Sequence, residues 1–386
     1  MKPVLLLAYT NINFGDDMFI KTVCAMYPEI KFEIEAPSSY KKIMSSVNNL
    51  EIITHTKIYK VFEKIDGIFL RKLPLNVGFF RYMWLKKYIA AVYVIGGLFD
   101  EDDLWQQQVK RLGKRRYKNV ILKKSFCKNL PFFLLGCNVT RVKSDSYIDL
   151  MTYVFKDLRD ICFRDKYSLM HFPLKNARYA PDLVFNYPIQ HYIRKKKVVI
   201  SVWGCLTKCE EMPQWKWAEN KWEGYKNFVI NIIDYFDSIG YQIELLSLCE
   251  NEGDLQACEL LKQKAKTNKL SLISYEGNLE EIVKCIAEAD FVIGTRFHSV
   301  VLALSSKTPV YPIVYESKTL QLLKDCKFEG EYSEITEIKN DEISKVINSF
   351  ENHGFYNEID TIKLKAKEQF TEFNKIIMKG LCNESK

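Results

Sequence analysis

Short, continuously apolar runs alternate along this chain with longer segments in which apolar residues recur at helical spacing. The runs Val4 to Ala8, Tyr88 to Ile95 and Phe132 to Leu135 show no polar alternation, which is typical of parallel strands buried on both faces. A further strand is predicted from Asp160 to Phe163, and a helix from about Met18 to Met26. Strands that alternate with helices in this way predict an open α/β sheet.

The same alternation returns after a shift in composition at the basic run Arg194 to Lys197, where we place a domain boundary. The predicted strands that follow are Val198 to Trp203, Gln242 to Ser247, Leu270 to Ser274, Phe291 to Ile293 and Val310 to Val314, and the predicted helices are Tyr225 to Ile239, Gly253 to Thr267, Leu279 to Glu288 and Val300 to Ser305.

These patterns predict two Rossmann-like open-sheet α/β domains, residues 1–193 and 194–350, in a GT-B-like arrangement with the active site in the cleft between the domains. A length of 386 residues suits two domains. The amphipathic helix expected in residues 351–386, from about Asp360 to Met378, is predicted to pack back on the first domain.

The composition is that of a folded protein without a membrane span. The chain is 47% hydrophobic and 27% charged, and its longest apolar stretch falls well short of the roughly 20 residues that cross a bilayer. The 11 cysteines are scattered and odd in number, so we expect reduced thiols and a cytoplasmic location. Cys205 and Cys209 lack a second pair of ligands at metal-binding spacing, and we predict no metal and no cofactor.

The net charge is +8, and the cations concentrate between residues 71 and 128, among aromatic side chains. The cations are Arg71, Lys72, Arg81, Lys86, Lys87, Lys110, Arg111, Lys114, Arg115, Arg116, Lys118, Lys123, Lys124 and Lys128, and the neighbouring apolar residues are Phe79, Phe80, Tyr82, Met83, Trp84 and Leu85. This mixture favours peripheral contact with the inner face of the cell membrane or with a diphosphate-linked lipid. A solvated basic face or a nucleic-acid groove would use the same residues; we expect no nucleic acid.

The sharpest candidate site is Arg296 and His298, which directly follow an apolar strand and precede a helix. Ligands of open parallel sheets bind beyond the carboxyl ends of the strands, and a helix start offers unpaired N–H groups to an anion. Arginine holds phosphate or carboxylate in a planar fork, and histidine exchanges protons near neutral pH. The alternative is an arginine paired with a carboxylate and a histidine in a polar niche of the core.

Polar residues also follow the other predicted strands. They are Asn13, Gly15 and Asp16 after the first strand, Gly96 and Gly97 after the second, Arg164 with Asp165 and Ser168, Asp182 in an Ala-Pro-Asp turn, and Glu316 and Lys318 after the last strand. Each has a structural explanation as well: Asp16 as a helix cap, the glycines as turn residues, and Arg164, Asp165 and Ser168 as a capping group.

In this order, the clusters resemble the polysaccharide pyruvyl transferase family over roughly residues 4–325. The matching segments are Asn13-Phe14-Gly15-Asp16, Gly96-Gly97-Leu98-Phe99-Asp100, Arg164-Asp165-Lys166-Tyr167-Ser168, Ala180-Pro181-Asp182, and the series Gly294, Arg296, His298, Pro309, Tyr315 and Lys318. The resemblance implies transfer of a pyruvyl group from phosphoenolpyruvate to two hydroxyls of a sugar in a surface-polysaccharide precursor. The product would be a cyclic ketal of a capsule or exopolysaccharide unit.

The resemblance also implies roles for the candidate residues. We expect His298 as general acid and base, with Asp16 or Asp182 orienting or deprotonating the sugar. We expect Arg296 on the phosphoenolpyruvate anion, with Arg164 and Lys318 as second contacts. The first domain would take the acceptor sugar, linked to a lipid or to a nucleotide, and the second would take phosphoenolpyruvate. The alternative function is a GT-B glycosyltransferase in which Arg296 and Lys318 grip a nucleotide diphosphate and Glu316 binds the ribose.

Overall fold

A computed structural model describes residues 2–55, 57–72, 78–97, 99–102, 104–204, 216–338, 342–352 and 358–384. Contacts between residues divide the chain into two compact units. Unit 1 contains Met1–Thr10, Phe19–Leu183 and Lys365–Lys386, and unit 2 contains Asn11–Met18 and Val184–Leu364.

The sheet of unit 1 contains, within the described residues, seven parallel strands: β1 Val4–Leu7, β2 Phe32–Glu35, β3 Leu50–Ile53, β4 Ala90–Val94, β5 Phe132–Cys137, β6 Asp160–Phe163 and β7 Ala177–Tyr179. Their order across the sheet is β3-β2-β1-β4-β5-β6-β7. The central strands β1, β4 and β5 are buried along their whole length. This explains why they have no polar alternation.

The sheet of unit 2 contains, among the described residues, six parallel strands: β8 Lys195–Ser201, β9 Gln242–Ser247, β10 Leu270–Ser274, β11 Ala289–Gly294, β12 Val310–Val314 and β13 Ser333–Glu334. They lie in the order β10-β9-β8-β11-β12-β13. Because β8 and β11 are neighbours, the loops after these two strands meet at the carboxyl edge of the sheet.

Helices connect the strands of both sheets. Their bounds are α1 Phe14–Met26, α2 Tyr40–Ile43, α3 Lys57–Lys72, α4 Phe79–Leu85, α5 Trp105–Leu112, α6 Lys114–Ile121, α7 Asp145–Phe155, α8 Lys166–His171, α9 Lys216–Ser238, α10 Asp254–Lys264, α11 Leu279–Ala287, α12 Phe297–Ser305, α13 Ser317–Asp325, α14 Ile343–Glu351, α15 Ile359–Ala366 and α16 Thr371–Glu384. Short 3₁₀ helices lie at Leu183–Asn186, Glu250–Glu252 and Lys367–Phe370.

The prediction of two open-sheet α/β units is confirmed, with corrections to several bounds. Strand β8 begins at Lys195 and not at Val198, because Lys197 is buried in the strand and forms ion pairs with Glu244 and Glu288. Helix α1 begins at Phe14 and not at Met18. The basic run at 194–197 therefore starts a central strand.

The expected single C-terminal helix is interrupted. Helices α15 and α16 are separated by the 3₁₀ turn Lys367–Phe370, whose Gln369 donates hydrogen bonds to the carbonyl oxygens of Ala180 (2.9 Å) and Pro181 (3.0 Å). Gln369 is fully buried in unit 1. The turn thus anchors the end of the chain beside the segment that carries Asp182.

The nine cysteines that the structure describes are free thiols, and all of them except Cys382 are buried. Within the described ranges, no helix is long and apolar enough to span a bilayer.

Candidate active site

Arg296 links the end of β11 to the start of α12. Its backbone is extended at the residue that caps the helix, and its N–H donates a hydrogen bond to the Ser201 hydroxyl at the end of β8 (3.1 Å). Because β8 and β11 are paired as far as Ser201 and Gly294, this bond fixes the loop just beyond the carboxyl edge of the sheet. Two neighbouring strands, β8 and β11, therefore fix where the backbone of Arg296 lies.

All three guanidinium nitrogens of Arg296 have carboxylate partners. The Nε atom donates to Asp254 Oδ2 (2.8 Å), Nη2 pairs with the other oxygen of Asp254, and Nη1 pairs with Glu252. The residue is 7% exposed. Burial alone would lower the pKa of Arg296, but the negative charges of Asp254 and Glu252 raise it well above its ordinary value. Arg296 is therefore a permanent cation.

Asp254 holds Arg296 from the first turn of α10. It is fully buried, and its carboxylate accepts hydrogen bonds from the backbone N–H groups of Gly204 (2.8 Å) and Cys249 (3.0 Å). Buried charges are tolerated when they are paired and hydrogen-bonded. Asp254 is thus a fixed anchor for two nitrogens of Arg296, whereas the side chain of Glu252 keeps 22% of its surface exposed.

His298 lies in the first turn of α12, half-buried, and its imidazole packs against Gly15. A Cβ atom built on Gly15 would lie 2.1 Å from His298 Nδ1 and 2.4 Å from Cε1, far inside van der Waals contact. Gly15 lies in the first helical turn of α1, so of the two explanations for this glycine, a tight turn or the close approach of a ligand, the tight turn is wrong. The glycine is needed because the imidazole occupies the space of a side chain.

Asn13, and not Asp16, caps helix α1. The Asn13 Oδ1 atom accepts hydrogen bonds from the N–H groups of Gly15 (3.0 Å) and Asp16 (3.3 Å), as an N-cap side chain does. The Asn13 amide also donates to Cys249 Sγ (3.4 Å). Asp16 is half-buried. The loop is therefore attached to the end of β9, which also supplies N–H groups to Asp254.

The neighbouring Asp17 has a structural role in unit 2. It is fully buried and accepts a hydrogen bond from the Tyr275 hydroxyl (2.6 Å). Burial and the negative charge of Asp17 raise the pKa of Tyr275. This bond fixes the start of α1 to the residue that follows β10.

Glu316 and Lys318, which follow β12, form an ion pair with each other. Between them and Arg296 lies Tyr315, whose hydroxyl accepts a hydrogen bond from Arg296 Nη1 (3.4 Å) and whose ring stacks on Trp203 with 5.1 Å between the centroids. Tyr315 thus connects the two cationic residues. Burial raises the pKa of its hydroxyl.

A second polar cluster lies in unit 1, at the ends of four neighbouring strands. Gly96 and Gly97 follow β4, Asn138 follows β5, Arg164 follows β6, and Asp182 follows β7 closely. Arg164 donates to Asp182 Oδ2 (3.0 Å) and to Asn138 Oδ1 (2.8 Å). A Cβ atom at Gly96 would lie 3.3 Å from Arg164 Nη2. The sequence-predicted residues of unit 1 therefore lie together.

The expected capping group after β6 forms in part. Asp165 caps α8 by accepting a hydrogen bond from the Ser168 N–H (2.7 Å), and the Ser168 hydroxyl accepts one from the Val139 N–H (2.8 Å). Arg164 does not take part in these bonds, because its guanidinium is directed to Asp182 and Asn138. Asp165 and Ser168 hold the strand ends in place.

Sequence reasoning missed Glu252, Asp254 and Asn138. All three follow a predicted or observed strand at its carboxyl end, so the rule that singled out Arg296 would have found them. Their short polar segments resemble ordinary turns and helix caps. For this reason nothing in the sequence distinguished these three residues from ordinary turn and capping residues.

Within the described part of the chain, no group of three or more His, Cys, Asp or Glu side chains could hold a metal ion. Cys205 and Cys209, for which the sequence raised a metal question, lie outside the described residues. The absence of a metal and of a cofactor from the reaction stays a prediction.

The predicted strand-end residues, with the exception of Lys318, also fall in a region matched by a known family. The polysaccharide pyruvyl transferase family model matches residues 13–317, from Asn13 to the first residue of α13. The chain belongs to the polysaccharide pyruvyl transferase family. The predictions of the family and of an enzyme are thereby confirmed.

A relative agrees with this family. The chain is 22% identical over 307 residues to the amylovoran biosynthesis protein AmsJ of Erwinia amylovora, covering 74% of this chain and 70% of AmsJ. This identity is low, but the aligned region covers most of both chains.

Solved structures share the fold of this family member. The structure of S. aureus MnaA with UDP matches this chain with a TM-score of 0.58 at 8% identity. The match covers 98% of this chain and 98% of MnaA. The spinosyn rhamnosyltransferase SpnG has a TM-score of 0.53 at 10% identity, covering 97% of this chain and 99% of SpnG. At these identities the likeness concerns the fold, and it confirms the predicted GT-B-like class.

Proposed function

We propose that this enzyme transfers the pyruvyl group of phosphoenolpyruvate to two hydroxyls of a sugar, forming a cyclic ketal on a polysaccharide precursor. The observation that carries the proposal is the packing of His298 against Gly15. It joins two segments of the family pattern that are more than half the chain apart in sequence. His298 also lies two residues after Arg296, in the first turn of the helix that Arg296 caps.

The reaction needs one group that gives and takes protons. The methylene carbon of phosphoenolpyruvate gains a proton, and a sugar hydroxyl forms a bond to the adjacent carbon. The bond from that carbon to the phosphate oxygen then breaks, and the second hydroxyl closes the ring. Of the two hydroxyl protons, one accounts for the new methyl group and the other leaves with phosphate. His298 can donate to the methylene carbon and accept from a hydroxyl.

Arg296 would hold the anionic donor by exchange of one carboxylate. Asp254 occupies two nitrogens of the guanidinium and is fully buried, whereas Glu252 occupies Nη1 and is partly exposed. We expect a carboxylate or phosphate oxygen of phosphoenolpyruvate to replace Glu252 on Nη1. Asp254 would keep the guanidinium oriented throughout, as a bidentate partner does.

Of the two aspartates that could assist, Asp16 is favoured over Asp182. The side chain of Asp182 is 1% exposed and already paired with the buried Arg164. Asp16 is half-buried and follows Gly15 directly. We therefore assign Asp16 to orient or deprotonate a sugar hydroxyl. Lys318, paired with Glu316, is a candidate second contact to phosphoenolpyruvate.

The test is a direct assay with the purified chain, phosphoenolpyruvate and sugars linked to a lipid diphosphate or to a nucleotide. We expect release of inorganic phosphate that depends on the acceptor, together with a pyruvate ketal detected by mass spectrometry of the product. The carrier that supports turnover identifies the acceptor class. A melting temperature raised by a nucleotide sugar and unchanged by phosphoenolpyruvate would instead support a glycosyltransferase, since a ligand of the folded state stabilises it.

A further inference from the structure

Three helices of unit 1 expose large apolar side chains on their outer faces. The residues and their exposed fractions are Val61 (55%), Phe62 (37%) and Ile68 (56%) on α3, Phe79 (60%) and Met83 (49%) on α4, and Val120 (51%) on α6. Phe79 and Met83 are spaced four residues apart and so lie on one face of α4. Single exposed apolar residues are ordinary, whereas a group of them on adjoining helices is typical of an interaction surface.

These helices are joined into one surface by aromatic contacts and by a pocket. The rings of Phe62 and Phe80 stack with 4.4 Å between their centroids, which connects α3 to α4. A pocket of about 250 Å³ opens between the same helices and α6, and its lining includes Phe62, Phe80, Val120, Arg116 and Lys124. The pocket therefore has apolar walls next to cationic groups, and Glu63 and Asp66 also line it, with Glu63 paired to Lys124. We name the outer faces of α3, α4 and α6 the helical surface.

The charge around the helical surface has one dominant sign. Residues 110–128 contain nine lysines and arginines and no carboxylate. Lys64 on α3, Lys86 at the end of α4 and Lys123 after α6 are all exposed. Lys124 forms an ion pair with Glu63 (2.6 Å), which places the cations of the α6 region beside α3.

We infer that the helical surface docks on an anionic lipid bilayer. Apolar side chains enter the boundary between headgroups and acyl chains, and lysines and arginines are attracted to anionic headgroups. Four of the six exposed apolar residues, Val61, Ile68, Met83 and Val120, have no ring face for stacking on nucleic-acid bases, which favours lipid over single-stranded nucleic acid. The inference concerns membrane contact alone and does not depend on the reaction proposed above.

The helices do not need these exposed side chains for their own packing. On α4, Arg81 and Leu85 are buried on the opposite side, and Arg81 is held there by Glu35 and by the Ser125 hydroxyl (2.8 Å). On α6, Tyr117 is buried. Substitutions at Phe79 and Met83 should therefore leave the fold of unit 1 intact.

The experiment is co-sedimentation of the full chain with vesicles of phosphatidylcholine, with or without about a third of phosphatidylglycerol. We expect clear binding to the anionic vesicles, weaker binding to the neutral ones, and loss of binding as the salt concentration is raised, because salt screens exposed charges. The double variant Phe79→Ser, Met83→Ser should weaken binding about tenfold. The pair Lys64→Gln, Lys123→Gln should weaken binding to anionic vesicles and leave binding to neutral vesicles unchanged.

The matched controls lie elsewhere in unit 1. They are Met170→Ser with Met378→Ser, at positions that are 74% and 66% exposed, and Lys175→Gln with Lys379→Gln, at exposed lysines. Both control pairs should bind like the unchanged protein, and circular dichroism should show the same fold for all variants. Equal binding to neutral and anionic vesicles, equal losses in the control pairs, or binding to a DNA oligonucleotide without binding to vesicles would each overturn the inference.

Discussion

Two arginines, Arg296 in unit 2 and Arg164 in unit 1, occupy equivalent positions and have different surroundings. Each follows a buried strand at the carboxyl edge of a parallel sheet, and each is paired with a buried aspartate. Arg164 donates hydrogen bonds to the carboxylate of Asp182 and to the amide oxygen of Asn138. Arg296 has two carboxylate partners, of which Glu252 is partly exposed.

The difference supports our proposal that Arg296, and not Arg164, exchanges a partner for substrate. The pair of Arg164 with Asp182 is closed, because the side chains are 4% and 1% exposed, and removing one member of a buried pair is costly. At Arg296, the contact to the fully buried Asp254 and the contact to the partly exposed Glu252 use different nitrogens of the guanidinium. An arginine can therefore stabilise the fold through some of its N–H groups and still bind an anion through the others.

The second difference is the neighbouring histidine. His298 lies two residues after Arg296 and packs against Gly15, whereas Arg164 donates its hydrogen bonds to an amide and a carboxylate. The described cluster of unit 2 thus combines a permanent cation with an imidazole, a group that exchanges protons near neutral pH. We expect the following substitutions to separate the two clusters.

The largest effect is expected for His298→Ala. General acid and base catalysis is typically worth 10² to 10⁴ in rate, so phosphate release from phosphoenolpyruvate should fall on the order of 10³-fold. The melting temperature should change little, because the imidazole is half-buried. His191→Ala, at an exposed position in the same unit, is the control and should keep full activity. Full activity in His298→Ala would refute the assigned role.

The second-largest loss of activity is expected for Gly15→Ala. The new methyl group would lie 2.1 Å from His298 Nδ1, so the imidazole or the helix start must move, and a displacement of about 1 Å can cost 10²-fold in rate. The pH profile of kcat should shift with the displaced imidazole, which a purely structural change would leave unaltered. Gly224→Ala in α9, where a Cβ meets nothing within 4 Å, should retain activity. Equal rates in the two variants would exclude close packing of His298 and Gly15.

A direct comparison of the arginines is given by Arg296→Lys and Arg164→Lys. Lysine keeps the charge but cannot reproduce a planar, two-pronged contact, and a lost hydrogen bond to a charged group costs about 1.5 to 3 kcal/mol. We expect the KM for phosphoenolpyruvate to rise roughly tenfold or more in Arg296→Lys and less in Arg164→Lys. A larger rise in Arg164→Lys would make Arg164 the main anion contact, and an unchanged KM in Arg296→Lys would remove Arg296 from that role.

The central strands were predicted well because a strand that is buried on both faces is mostly apolar, and a short apolar run is visible in the sequence. Strands β1 and β4 are continuous apolar runs, and the Gln242–Ser247 bounds of β9 agree with the prediction. Strands β2 and β3 were missed because each has four residues, with Glu33 or Glu51 among them. Whether such a segment forms a strand depends on the strands beside it in the sheet, which are distant in sequence.

The part of the site that the sequence predicted is the part whose residues are close together along the chain. Arg296 and His298 are two positions apart, so their shared place at a strand end could be inferred. Asp254 and Glu252 come from the loop after β9, and the contact of Gly15 with His298 joins the two halves of the chain. Such pairings depend on strand order and helix placement, which spacing along the chain does not contain.

The smallest effect is expected for Glu252→Gln, and it tests how Arg296 can bind substrate at all. If phosphoenolpyruvate must displace the Glu252 carboxylate from Nη1, then a neutral amide, which is a weaker partner for a cation, should be displaced more readily. The KM for phosphoenolpyruvate should fall about threefold, a small effect because Glu252 is partly exposed to solvent. Glu250→Gln, in the same 3₁₀ turn and exposed, controls for a general loss of negative charge. A higher KM in Glu252→Gln alone would mean that Glu252 positions Arg296 for binding, and the exchange would then have to be abandoned in favour of a guanidinium that both carboxylates hold throughout the reaction.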